Sequence, residues 1–377
     1  MKVSNKILFV SHSNSTIGGA EEDLRRLVFD VRNDYKVYLA LPNNTEFDKV
    51  YKNWVNGIFN IRTNIPPLHH GSTLDYLKFY IKGFLQFFEL RKIISDLNPD
   101  ILIFNSSVLF LQGYFFKKYK QVFFIREYLL NDKIRNISYK LICRSASKVI
   151  SVSSFISKEL KKYCCLDVKT LYTSIEGSNI KVRKKLLVDR NTFNFLAVGI
   201  ISPLKNQFTV LKAFHKALNK IEKAKLYFLG RFYPSDEYYR SMVEYINSHN
   251  LKDNVIFLGE LDRVNALTYI SQVNCIVIAS LTEGMPNVIS EALFFNKPLI
   301  SSKFNGISDI FIDEYNGLLF DANNSNELTS KMIRISNEPK YREYIISNSK
   351  ITYTENFSLE KNLLTFRQLL DSISATQ

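Results

Sequence analysis

Short, unbroken apolar runs alternate with longer stretches of helical periodicity along the whole chain, and that alternation leaves few folds open. Ile7-Leu8-Phe9-Val10, Ile101-Leu102-Ile103-Phe104 and Ile276-Val277-Ile278 are too short for helices and show no polar alternation. A strand with one wet face alternates, whereas a parallel strand covered on both faces by crossover helices need not. Strands are expected at Lys6–Ser11, Lys36–Ala40, Ile58–Ile61, Asp100–Asn105, Val122–Arg126 and Lys148–Ser153. A second series is expected at Asn194–Gly199, Lys225–Gly230, Asn254–Gly259, Asn274–Ser280 and Lys297–Ser302. A chain of 377 residues exceeds one hydrophobic core. Two consecutive β-α series therefore predict two doubly wound Rossmann-like domains, residues 1–180 and 190–356. The segment 177–193, a Gly/Ser/Asn mixture with a basic run, reads as the linker. A last helix over 357–377 carries apolar residues at helical spacing (Leu359, Leu363, Leu364, Phe366, Leu369, Leu370) and is expected to pack back toward the first domain. Ligands of such sheets bind at the carboxyl ends of the strands, so the expected site is a central cleft between the domains.

Charge divides unevenly. Residues 1–185 hold 30 Lys and Arg against 16 Asp and Glu, while residues 186–377 hold 20 of each. The whole excess of +14 thus lies in the N-terminal half, where it reads either as a solvated, solubilising surface or as attraction to an anionic partner: a membrane face, a phosphorylated acceptor or nucleic acid. The four cysteines lack the spacing of a disulfide framework or a zinc site. Ile7–Val10 stops at Ser11-His12-Ser13, which is a strand pattern and not a signal peptide. No uncharged apolar stretch approaches the ~18 residues that span a bilayer. The expected location is cytoplasmic, with the option of lying against the inner face of the membrane.

The densest chemical signal is Thr282-Glu283-Gly284-Met285-Pro286-Asn287-Val288-Ile289-Ser290-Glu291-Ala292. It follows a buried strand and opens a helix. Gly284 allows close approach of a ligand, and Pro286 suits a first helical position. The unpaired N–H groups of that helix start form an anion site suited to a diphosphate. Two carboxylates beside it, Glu283 before the helix and Glu291 a turn inside, suit hydrogen bonds from hydroxyls of a sugar and a ribose.

This stretch resembles the E-x7-E signature of retaining GT-B glycosyltransferases of family 4, and Glu283-x7-Glu291 keeps its spacing. The resemblance extends upstream to Val198-Gly199-Ile200-Ile201-Ser202-Pro203-Leu204-Lys205-Asn206 and downstream to Asn305-Gly306, Asp309-Ile310 and Asn316-Gly317-Leu318-Leu319. It implies that Lys205 neutralises the donor diphosphate, framed by Gly284, Met285 and Pro286, with Asn287 beside them. It also implies that Glu291 holds the ribose and Glu283 a hydroxyl of the transferred hexose. The family's second cation is replaced here by Ile200, and Arg231, after the strand end at Gly230, is the candidate substitute. The nucleobase is implied near Gly259-Glu260-Leu261-Asp262-Arg263. Guanine needs a carboxylate acceptor, which Arg263 cannot supply and Asp262 could, and UDP-sugar is favoured. No metal or other cofactor is expected, because Lys205 and the helix N-terminus supply the positive charge. The nucleotide-sugar is a co-substrate.

In the N-terminal half, Gly18-Gly19-Ala20-Glu21-Glu22 resembles the family's GG-x-E segment near the donor phosphates and acceptor. A dinucleotide fingerprint would need G-x-G-x-x-G and an acidic residue ending strand two, and neither is present. His12 and Glu127 each follow a strand and are the candidate catalytic groups of this half. The acceptor implied is a cell-surface glycan or lipid-linked oligosaccharide. Leu74–Leu97 and Tyr114–Lys120 interleave large aromatics with Lys and Arg, the composition of interfacial helices on anionic lipid, though core helices share it. Two other functions compete: a nucleotide-sugar 2-epimerase of the same fold, and a nucleic-acid binder. The second lacks any RNP-like or helix-turn-helix pattern, so nucleic acid is not an expected partner.

Overall fold

The computed structural model describes residues 5–12, 19–43, 45–62, 73–129, 131–163, 165–175, 182–184 and 187–375. The chain divides into two units, Met1–Tyr172 with Glu360–Gln377, and Thr173–Leu359.

The first unit runs β1 (Lys6–Val10), α1 (Gly19–Val31), β2 (Lys36–Pro42), α2 (Thr45–Tyr51), β3 (Gly57–Ile61), α3 (Thr73–Leu97) and β4 (Ile101–Phe104). It continues with α4 (Phe110–Phe115), β5 (Lys120–Ile125), α5 (Asp132–Ser145), β6 (Lys148–Ser151), α6 (Ser154–Lys161) and β7 (Val168–Thr170). The sheet has the order β3-β2-β1-β4-β5-β6-β7, and its pairs are parallel. Ile7, Leu8, Phe9 and Val10 are all fully buried, as an unbroken apolar run requires when helices cover both faces.

The second unit contains β8 (Phe193–Val198), α7 (Gln207–Ala217), β9 (Ala224–Leu229), α8 (Glu237–Ser248), β10 (Val255–Gly259), α9 (Arg263–Gln272) and β11 (Cys275–Ile278). After these come α10 (Asn287–Phe294), β12 (Leu299–Ser302), β13 (Leu318–Phe320), α11 (Ser325–Asn337) and α12 (Pro339–Asn356). Its order is β10-β9-β8-β11-β12-β13, again parallel. Strand order reverses between β1 and β4 in one sheet and between β8 and β11 in the other. Loops diverge at such switch points and leave a crevice at the strand carboxyl ends.

The strands expected from the sequence include neither β7 nor β13. Each is a three-residue edge strand, too short to show a period. The last helix, α13 (Leu359–Ala375), sends Phe366, Leu369, Leu370 and Ile373 into the core of the first unit. Leu364 is a correction to the expected buried set, because it points to solvent. Arg367 fixes the helix through Asp30 at 2.8 Å and Asp34 at 2.8 Å. The cysteines also need correcting: Cys143 is disulfide-bonded, whereas Cys165 and Cys275 are free.

Candidate active site

At the switch point of the second unit, the loop after β8 meets the loop after β11. Gly199 leaves β8 with a φ of +139°, and a Cβ at Gly230 would lie 2.1 Å from the Gly199 carbonyl oxygen. Only glycine at 230 lets the ends of β8 and β9 approach so closely. The chain then turns through Ser202, whose carbonyl accepts from the Lys205 N–H at 3.1 Å, and Asn206 adopts the left-handed region before α7. Gln207 Nε2 donates to the Ile200 carbonyl at 2.9 Å, and Leu281 N donates to the Leu204 carbonyl at 2.9 Å. These bonds present Lys205 beside the β11 loop, where its ammonium forms an ion pair with Glu283 Oε1. Ser280 Oγ donates to the same oxygen at 2.7 Å, and Ser302 Oγ donates to the Ser280 carbonyl at 2.7 Å. The Thr282 hydroxyl is buried without a hydrogen-bond partner among the described residues.

Met285 is buried in the same loop. Pro286 is the N-cap of α10, with ψ at 133°, so Asn287 and not Pro286 takes the first helical position; this corrects the expected placement. No side chain caps that end, and its N–H groups keep the anion-binding character of a helix start. Glu291, on α10, is buried and accepts from Arg263 Nη1 at 2.5 Å. A nearly buried carboxylate is stable only with such a partner.

The segment expected near the nucleobase is already committed. Glu260 holds Arg231 through two bonds of 2.8 Å and raises the guanidinium pKa, so Arg231 is a tethered cation. Asp262 caps α9: Oδ1 accepts from Asn265 N at 2.9 Å and Oδ2 from Asn265 Nδ2 at 2.5 Å, and the backbone bond lowers its pKa. Gly259 ends β10 at a φ of +70°, and Leu261 follows Glu260 in the loop to α9.

In the first unit, His12 follows β1 and its Nδ1 is buried without a partner among the described residues. Glu127 follows β5, and its Oε1 accepts from Ser106 Oγ at 2.5 Å, Ser107 Oγ at 2.6 Å and Ser107 N at 2.8 Å. Arg126 beside it is half-buried, bonded to Asn105 at 2.8 Å and Asp23 at 2.7 Å. Gly19 begins α1. Gly18 lies outside the described residues. Sequence reasoning gave no role to Ser280, Thr282, Ser106, Ser107 or Arg126. Each lies in the loop after the carboxyl end of a strand, the one signal that could have singled them out.

Residues 178–352 match the family described as glycosyl transferases group 1. One uncharacterized glycosyltransferase of Methanocaldococcus jannaschii is 25% identical over 63% of this chain and 62% of its own length. A second from the same organism is 21% identical over 99% and 100%. A Campylobacter jejuni N-acetyl-D-galactosaminyltransferase, named for a diNAcBac-PP-undecaprenol-linked substrate, is 32% identical over 41% of this chain and 42% of its own length. Among solved structures, Anabaena HepE in complex with UDP and glucose has a TM-score of 0.79 at 19% identity, covering 98% of this chain and all of its own. The chain is a glycosyltransferase with the GT-B fold. In this glycosyltransferase, the matched segment contains the whole Lys205–Glu283 and Arg263–Glu291 arrangement.

Proposed function

We propose that this glycosyltransferase moves a hexose from a UDP-sugar, with retention at the anomeric carbon, onto a lipid-linked glycan at an anionic membrane surface, as a cytoplasmic family 4 enzyme. The observation that carries the donor half is the Lys205–Glu283 ion pair across the switch point, beside the open N-terminus of α10. A diphosphate on those N–H groups competes with Glu283 for the ammonium. Once released, the Glu283 carboxylate accepts a hydrogen bond from a sugar hydroxyl. Lys205 and the helix N-terminus then stabilise the leaving diphosphate, fixed charge aimed at charge that develops in the transition state. Metal-independent chemistry follows from that supply of positive charge. Glu291, oriented by Arg263, takes the ribose.

UDP is favoured over GDP because both acids of the nucleobase segment are engaged, Glu260 with Arg231 and Asp262 with Asn265, leaving no ready acceptor for guanine. HepE with UDP and glucose supports that donor class, and the Campylobacter relative supports a lipid-linked acceptor. His12 and Glu127 are the candidate acceptor-side groups. The test is a thermal-shift panel of UDP-, GDP- and ADP-sugars, followed by transfer to a polyprenyl-diphosphate-linked sugar with and without EDTA. Stabilisation by the UDP-sugar alone and an EDTA-resistant product of retained configuration are expected. A larger shift with a GDP- or ADP-sugar, an inverted product, or donor turnover that ignores the acceptor sinks this reading.

A further inference from the structure

Helix α3 (Thr73–Leu97) is apolar on two opposite faces, and only one of them is used by the fold. Phe79, Leu90, Ile94 and Leu97 are buried on the inner side. On the outer side, Ile81 is 52% exposed, Phe84 56%, Leu85 40% and Phe88 49%, at the i, i+3, i+4, i+7 spacing of a single stripe. Phe84 and Phe88 pack edge to face at 4.9 Å. Phe115, 53% exposed at the end of α4, is fixed beside the helix by its ring contact with Phe87 at 4.9 Å.

Four exposed apolar side chains in one continuous stripe form a binding feature and not scatter. Its borders say what binds. By helical spacing, exposed Lys78 and Lys82 run along one edge and Arg91 along the other, with Lys92 at the C-terminal end of the stripe. Exposed Lys117 and Lys118 follow Phe115. Glu89, on the Lys82 side, is neutralised by Arg62 at 2.9 Å. Two copies of this chain meeting through the stripe would bring those cations together, which electrostatics opposes. An anionic bilayer meets both features, acyl chains for the aromatics and headgroups for the lysines. Among the described residues no helix is long and apolar enough to cross a membrane.

We infer that the outer stripe of α3, with Phe115, is the element by which this enzyme lies on an anionic bilayer, its aromatics in the headgroup–acyl boundary. This rests on the membrane part of the proposed function and names the side chains responsible. Lys120 is not among them, because its ammonium donates to the Ile373 carbonyl at 2.9 Å and so holds α13.

The test uses the full chain with vesicles of phosphatidylcholine alone or with about one third phosphatidylglycerol, chosen because adding acidic headgroups sets the surface potential. The wild type should sediment with the acidic vesicles only, and less as salt shortens the Debye length. Replacing Ile81, Phe84 and Phe88 together by Ser should weaken binding by at least about tenfold, since those side chains lose an apolar environment. Its melting temperature should hold, because the three are exposed. In a Phe84→Trp variant, emission should shift to the blue on adding acidic vesicles and not neutral ones. Unchanged sedimentation of the triple Ser variant, no indole shift, or a wild-type dimer that the triple Ser change splits would overturn the inference. The triple Ser variant should transfer sugar to a water-soluble acceptor at the wild-type rate. If the wild type binds vesicles yet transfers to no acceptor, the proposed function fails and the membrane surface stands.

Discussion

Two ion pairs dominate the proposed donor site at the residue scale, and each makes its carboxylate depend on a cation. Glu283 shares its Oε1 between Lys205 and Ser280. Glu283→Gln should lower kcat with little change in donor KM, as expected for a contact realised chiefly in the transition state. The same change frees Lys205, so UDP alone should bind the variant as tightly as wild type or several-fold tighter by calorimetry. Weaker UDP binding would mean that Glu283 does not compete with the diphosphate. Lys205→Ala should weaken UDP binding by about 1–3 kcal/mol, the range for a lost charge-assisted hydrogen bond. Glu291 is the more buried acid, and Glu291→Gln should mainly raise donor KM. Near-wild-type kinetics in both Gln variants would remove the donor-site assignment.

At the scale of elements, the strand ends set the geometry. The approach of β8 to β9 depends on Gly230, where any Cβ would strike the Gly199 carbonyl and push on the loop that carries Lys205. Gly230→Ala should cost on the order of 2 kcal/mol or more in stability and weaken UDP binding as well, read by denaturation and calorimetry. A stability loss with unchanged UDP affinity would separate the β9 end from the Lys205 loop. Helices α7 and α8 meet through His215, whose Nδ1 lies 2.9 Å from the Tyr245 hydroxyl and whose ring is 4.7 Å from His249. Burial, and then the neighbouring His249, lower the His215 pKa below 6.5. The unfolded chain therefore takes up the proton first as pH falls, and the folded state loses stability below about pH 6.5. His215→Asn should flatten the fall in melting temperature between about pH 7.5 and 5.5. An unchanged slope would place that sensitivity elsewhere.

At the scale of the whole molecule, the first unit is closed by the end of the chain. Phe366 packs 5.7 Å from Phe124 of β5, and Arg367 anchors on Asp30 of α1. Phe366→Ala should cost about 3–5 kcal/mol, whereas exposed Leu364→Ala should stay within about 0.5 kcal/mol, both by chemical denaturation. Equal effects would mean that the helix docks through another face.

Much of this protein was legible from local pattern alone. Unbroken runs such as Ile7–Val10 announced doubly covered parallel strands, because side-chain burial on both faces is written directly into consecutive residues. Glu283 and Glu291 stood out because a loop between a strand and a helix start is a ready anion site wherever it occurs, whereas Lys205 was implied only by the resemblance of its loop to family 4. Three-residue β7 and β13 were not legible, since so short an edge strand forms only because a neighbour offers its backbone groups. Partner choice was also beyond the sequence: Arg231 is 29 positions from Glu260, Arg263 is 28 from Glu291, and Lys205 is 78 from Glu283. Which face of α3 and which of Leu363 and Leu364 turn inward depended on the rest of the unit. Periodicity names an apolar face but not the surface that will cover it, and that choice belongs to tertiary packing.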